Sequence, residues 1–83
     1  MEADIRLTIV SPEETVVDAQ AVSVTLPGVV SPFQVLKNHA PLITSLEAGV
    51  IRWTEGDGKQ ESLSVRSGFA RVLDNQVFVC VEL

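Results

Sequence analysis

SGFARVLDNQVFVCVEL, residues 67–83, decides the fold. Two apolar runs flank Asp74-Asn75, a dipeptide that tolerates the left-handed backbone of a tight hairpin turn. After the turn, Val77, Val79 and Val81 fall on one face of an extended chain, and Phe78 and Cys80 fall on the other. A strand that is apolar on both faces is expected to be central, or covered on both sides.

The same period of two runs back towards the start. ESLSVR (61–66) turns Leu63 and Val65 inward. EGDGK (55–59), with two glycines around an aspartate, is the clearest hairpin tip in the chain. Before it, VIRWT carries Trp53 on a further strand. AVSVTL (21–26) alternates with Val22, Val24 and Leu26 inward, after a short extended piece, TVVD (15–18). DIRLTIV (4–10) alternates with Ile5, Leu7 and Ile9 inward. SPEE (11–14) interrupts the pattern: Pro12 lacks a donor, and Ser11 can bond its own turn. Pro27-Gly28 opens a loop in which Gly28 can take positive φ. HAPLITSLEAG (39–49) is the one stretch with a helical rival, started by Pro41 and ended by Gly49. Ile43 and Thr44 favour a strand there. Short strands with regular turn signals predict an all-β sandwich or barrel.

Bulk properties narrow the function. The chain has 83 residues, and residues 1–83 are expected to form one domain. A fold of this size buries only about two thirds of its unfolded surface, so a partner could supply further burial. The net charge is −5. With lysine and arginine scattered singly, there is no basic stripe for nucleic acid or anionic lipid. Cys80 is the one cysteine, so no disulfide forms within the chain, which fits a reducing compartment. The start is acidic where a signal peptide would be basic. No run approaches the roughly 18 apolar residues of a transmembrane helix. A soluble protein is expected, with any membrane link made through another protein.

Chemistry finds little to work with. His39 is the one histidine, and Cys80 is the one strong nucleophile, in the most apolar strand. One histidine and one cysteine cannot supply a zinc shell, and EGDGKQE lacks the calcium-loop pattern. Glycine-rich backbone ahead of a helix, as phosphate binding requires, is missing. The aromatics (Phe33, Trp53, Phe69, Phe78) read as core, with Trp53 near a covered edge. No catalytic, cofactor or metal residue is assigned. Lys59, on the hairpin tip, suits a lipoyl- or biotinyl-type carrier domain as an alternative, although the sequences that usually flank such a lysine are missing. Around His39, Asn38 tolerates left-handed dihedrals, and Ala40, preceding Pro41, is pushed towards extended geometry. KNHAP is therefore a shaped turn, suited to partner contact.

Four segments, in order and with matching spacing, resemble the N-terminal domain of the epsilon subunit of F-type ATP synthase. They are Val10-Ser11-Pro12-Glu13, Leu26-Pro27-Gly28, Asn38-His39-Ala40-Pro41-Leu42 with Leu46 and Gly49, and Gly68-Phe69. The resemblance runs from about Arg6 to Glu82. It implies a flattened β-sandwich of about ten short, mostly antiparallel strands. It also implies a non-catalytic rotor subunit in the central stalk, beside the gamma subunit and on the polar loops of the c-ring, helping to couple proton flow to ATP synthesis. The implied place is peripheral, at the cytoplasmic face of the bacterial inner membrane, with no nucleotide bound. The family's ring-facing loops carry over to residues 28–32, Gly28, Ser31 and Pro32 among them, and to Asn38, His39 and Ala40.

The sequence departs from the family in several places. Residues 29–32 are VVSP where glycines are common. Lys37 stands where proline is common. Ser67-Gly68 replaces a glycine pair. Many members continue into a C-terminal helical hairpin that restrains ATP hydrolysis; this sequence stops at Leu83, and no such hairpin is expected.

Overall fold

Apolar side chains recurring at every second residue can all be buried only if the chain is extended, and the chain obeys. The structure, a computed structural model, describes residues 5–83. Glu2 and Asp4, which make the start acidic, lie outside the described residues. Eight strands follow in chain order: β1 (Ile5–Val10), β2 (Thr15–Leu26), β3 (Phe33–Val35), β4 (Leu42–Leu46), β5 (Gly49–Glu55), β6 (Gln60–Val65), β7 (Ser67–Leu73) and β8 (Gln76–Glu82). The helical rival at 39–49 resolves to β4.

The strands form one mixed sheet in the order β4-β7-β8-β1-β2-β5-β6, with β3 added to β2. All pairs are antiparallel except β1 with β8. The sheet closes on itself at a seam between the end of β2 and β4. There Gly28 bridges Leu46, the Val29 amide donates to the Ser45 carbonyl (3.0 Å), and the Glu47 amide donates to the Pro27 carbonyl (2.9 Å). The inward side chains of the two halves meet in one core. Ile5, Leu7, Val77 and Val79 contribute from one half, and Val24, Leu26, Ile51 and Trp53 from the other. As expected for an all-apolar strand, β8 is central, between β7 and β1.

Three expectations need correction. TVVD and AVSVTL are one strand, β2, which lowers the count from about ten to eight among the described residues. Its register on β5 shifts between Ala21 and Ser23, the mark of a β-bulge. The extra residue flips the alternation, so Ala21 and Val24 are both buried while Val22 is only half-buried. Phe69 is not core: it is 46 % exposed, because Ala70 and Val72 take the inner face of β7. Finally, Gly28 does not adopt positive φ. Its smallness serves close approach instead, since a Cβ there would sit 2.6 Å from the Ser31 carbonyl oxygen and 3.0 Å from the Phe33 ring.

Candidate functional site

The six expected contact residues fall into two groups, separated by the three-residue strand β3. Gly28, Ser31 and Pro32 lie in the loop after β2, and this loop is held to the far end of β4 by the seam bonds. Ser31 and Pro32 are exposed, as are Val29 and Val30, the latter 94 % exposed. Asn38, His39 and Ala40 lie before β4, at its other end. A strand rises about 3.3 Å per residue, so β3 sets the two groups on the order of 10 Å apart.

The second group is built as a tight turn. The His39 amide donates to the Leu36 carbonyl (3.1 Å), closing a turn over residues 36–39. Asn38 has φ 66°, and Lys37 is not among the positive-φ residues. This pattern matches a type II turn, with Lys37 at the position that proline favours and Asn38 at the position that glycine favours. The His39 ring is half-buried and points back at its own loop, with Nδ1 2.7 Å from the Ala40 carbonyl oxygen. A carbonyl can only accept, so Nδ1 is the donor in this bond.

A neighbour without an assigned role in the sequence completes the group. The β7–β8 turn, Asp74-Asn75, has φ 51° and 62°, the backbone of a type I′ hairpin turn. Asn75 reaches across to the other turn: its Oδ1 accepts from the Asn38 amide at 2.6 Å. Its Nδ2 lies 3.4 Å from Asn38 Oδ1. Its carbonyl accepts from the Arg6 amide at the start of β1 (3.0 Å). Asn38, His39, Pro41, Asp74 and Asn75 line a cleft of about 240 Å³ between the two turns.

Other sequence candidates lie apart from this surface. Cys80 belongs to a separate apolar hollow with Val10, Pro12, Gly68 and Phe69 on the outer face of the sheet, so it is no partner for His39. Lys59 sits on the β5–β6 hairpin, where its Nζ is 3.1 Å from Glu61. Donation to Glu61, with Glu55 and Asp57 nearby, raises its pKa above the ordinary 10.5. An exposed lysine paired with a carboxylate two residues on is the arrangement of a solvated hairpin tip. Among the described residues, no three histidine, cysteine or carboxylate groups gather where a metal could bind. Among the described residues, no helix is long and apolar enough to cross a membrane.

A family model described as the ATP synthase delta/epsilon chain, beta-sandwich domain, matches residues 4–83. A protein named ATP synthase epsilon chain from Desulfosudis oleivorans is 43 % identical over 82 residues, covering 99 % of this chain and 62 % of the relative. Another of that name, from Desulfitobacterium hafniense, is also 43 % identical over 82 residues, covering 99 % of this chain and 61 % of the relative. The chain thus spans less than two thirds of the length of these curated relatives. The fold matches a chain in a Euglena gracilis mitochondrial ATP synthase structure (OSCP, F1 and c-ring) with TM-score 0.88 at 23 % identity, covering 98 % of this chain and 52 % of that one. On the strength of the family match across the sandwich, this chain belongs to the ATP synthase delta/epsilon chain beta-sandwich family.

Proposed function

We propose that this chain is a non-catalytic subunit of the central stalk of an F-type ATP synthase. In that role it joins the gamma subunit to the c-ring, so that proton-driven rotation reaches the catalytic subunits. The observation that carries the reading is the match over residues 4–83 to a family defined by this domain of the synthase. Relatives named as epsilon chains, 43 % identical over nearly the whole chain, support it. Residues 1–83 act as one domain, a reading supported by a single core to which all eight strands of the described residues contribute.

The role is mechanical. A closed sheet with one apolar core resists shear between two partners, and shaped loops on it provide the contacts. The contacts to the c-ring fall on Gly28, Ser31 and Pro32 in one loop, and on Asn38, His39 and Ala40 in the turn. Ser31, Pro32, Asn38 and Ala40 are exposed and His39 is half-buried, so they can meet the polar loops of a ring; Gly28 is buried and serves by shaping its loop. The chain is peripheral, at the cytoplasmic face of a bacterial inner membrane, and needs no bound nucleotide or cofactor for this task.

The test is twofold. Tagged chain should retain both gamma and the c-ring in a pull-down from solubilised membranes, and its deletion should abolish proton-coupled ATP synthesis. Retention of neither partner, together with undiminished synthesis after deletion, would overturn the reading.

A further inference from the structure

Two positions in this molecule hold asparagine where glycine is the commoner residue. The third residue of a type II turn and the second central residue of a type I′ turn both favour glycine, because both need positive φ. Here both hold asparagine, Asn38 at φ 66° and Asn75 at φ 62°. Asparagine tolerates this backbone less readily than glycine, so a side chain retained there calls for a use. The use is on view: 37 residues apart in sequence, the two asparagines bond to each other. The shorter contact, 2.6 Å from the Asn38 amide to Asn75 Oδ1, satisfies a donor that its own turn does not.

The clasp also has a fixed base. The Asn75 carbonyl accepts from the Arg6 amide, and β1 and β8 run on in parallel from Arg6 paired with Gln76. Asn75 therefore links the turn over residues 36–39 to the central strands of the sheet.

We infer that Asn75 is a positioning residue for the ring-facing turn, holding Asn38 so that His39 and Ala40 keep one shape when the partner docks. This rests on the reading of residues 38–40 as c-ring contacts. A turn ordered before docking loses less conformational entropy on binding than one ordered by it. Loss of the clasp therefore weakens ring binding although Asn75 is not itself among the proposed contact residues.

Two variants separate the clasp from the hairpin. Asn75→Gly keeps the left-handed backbone and removes the side chain; Asn75→Asp tolerates the backbone and keeps the acceptor oxygen. Amide hydrogen exchange on the full chain is the first readout. The Asn38 amide should exchange about threefold to tenfold faster in Asn75→Gly, the range of one net hydrogen bond, and at the parent rate in Asn75→Asp. Amides of Val77 and Val79 should keep their protection in both. Unchanged Asn38 exchange in Asn75→Gly, or an equal loss at Val77 and Val79, overturns the clasp. The second readout is binding of the assembled gamma–subunit complex to detergent-solubilised c-ring. Asn75→Gly should weaken it several-fold, and Asn75→Asp should restore it. Faster Asn38 exchange with unchanged ring binding would keep the clasp but overturn the positioning role; unchanged ring binding in His39→Ala as well would overturn the contact reading.

Discussion

Two turn regions of this molecule reach opposite solutions to the same problem. The β5–β6 tip closes within itself. The Gly58 amide donates to the Glu55 carbonyl (2.9 Å), the Glu55 amide to the Lys59 carbonyl (2.8 Å), and the Lys59 amide to Asp57 Oδ1 (2.9 Å). Gly58 takes φ 90° at no steric cost, and a Cβ there would meet nothing within 4 Å. The turn over residues 36–39 closes one bond locally and depends on Asn75 for the next. A self-contained turn is solvated and tolerant. A turn tied across the fold has a shape that belongs to the whole sheet, which suits a contact surface.

The largest expected effect breaks the sheet at the far end of the β7–β8 hairpin that carries the tied turn. At Gly68, a Cβ would run into the Cys80 backbone carbonyl, where β7 lies close against β8. Gly68→Ala should cost roughly 1–3 kcal/mol, by analogy with overpacking elsewhere in protein interiors. Because β7 and β8 carry the Asp74-Asn75 turn, Asn38 exchange should rise with it while the 55–60 tip keeps its own bonds. Denaturant unfolding and amide exchange on one sample check both halves.

Next is a change at the self-contained tip. Gly58→Ala should cost about 1–2 kcal/mol, because an L-residue is strained at that φ. Ring binding should not change, which a pull-down against the parent chain would show. A smaller effect is expected from His39→Ala, which removes the ring and its bond to the Ala40 carbonyl. Truncation of a contact of this kind costs about 1 kcal/mol, or roughly fivefold in ring affinity, with gamma binding unaffected. The counterpart, Asp57→Ala, should leave both affinities unchanged.

The smallest effect concerns the exposed ion pair on β1 and β2. Arg6 donates to both carboxylate oxygens of Asp18, at 2.6 and 2.9 Å. This hydrogen bonding holds the Asp18 carboxyl below its ordinary 3.8. A folded pKa below the unfolded one stabilises the fold above the unfolded value and is lost as pH falls through the folded one. The melting temperatures of the parent and Asp18→Asn should therefore differ slightly at neutral pH and converge below pH 3.8. Exposure keeps the difference small.

The period of two in the sequence marks extended chain along most of the strands, although it splits β2 in two and leaves β4 to the β-propensity of Ile43 and Thr44, and it identifies β8 as central from Val77, Val79 and Val81 alternating with Phe78 and Cys80. It fails wherever the alternation is broken or ambiguous. The bulge at Val22–Ser23 leaves no local signal, because Ala21, Val22 and Val24 are all acceptable inside. Phe69 is different: Arg71 and Leu73 share its face, and a charged residue two positions on marks that face as the outer one. The parallel pairing of β1 with β8 joins the two ends of the described chain, and local pattern carries no information on it. At the candidate site, the shape of KNHAP was legible from Asn38 and the Ala40-Pro41 step. The role of Asn75 was not, because its partner lies 37 residues away; asparagine at a position that favours glycine was the one available sign.

The most direct test of the account places a photo-crosslinking amino acid at His39, and a second at Asp57, in the assembled synthase, with the captured partner identified by mass spectrometry. The account predicts that the probe at position 39 captures the polar loop of a c subunit and the probe at position 57 does not. Capture of a c subunit from position 57 alone, or of no c subunit from position 39, would contradict it.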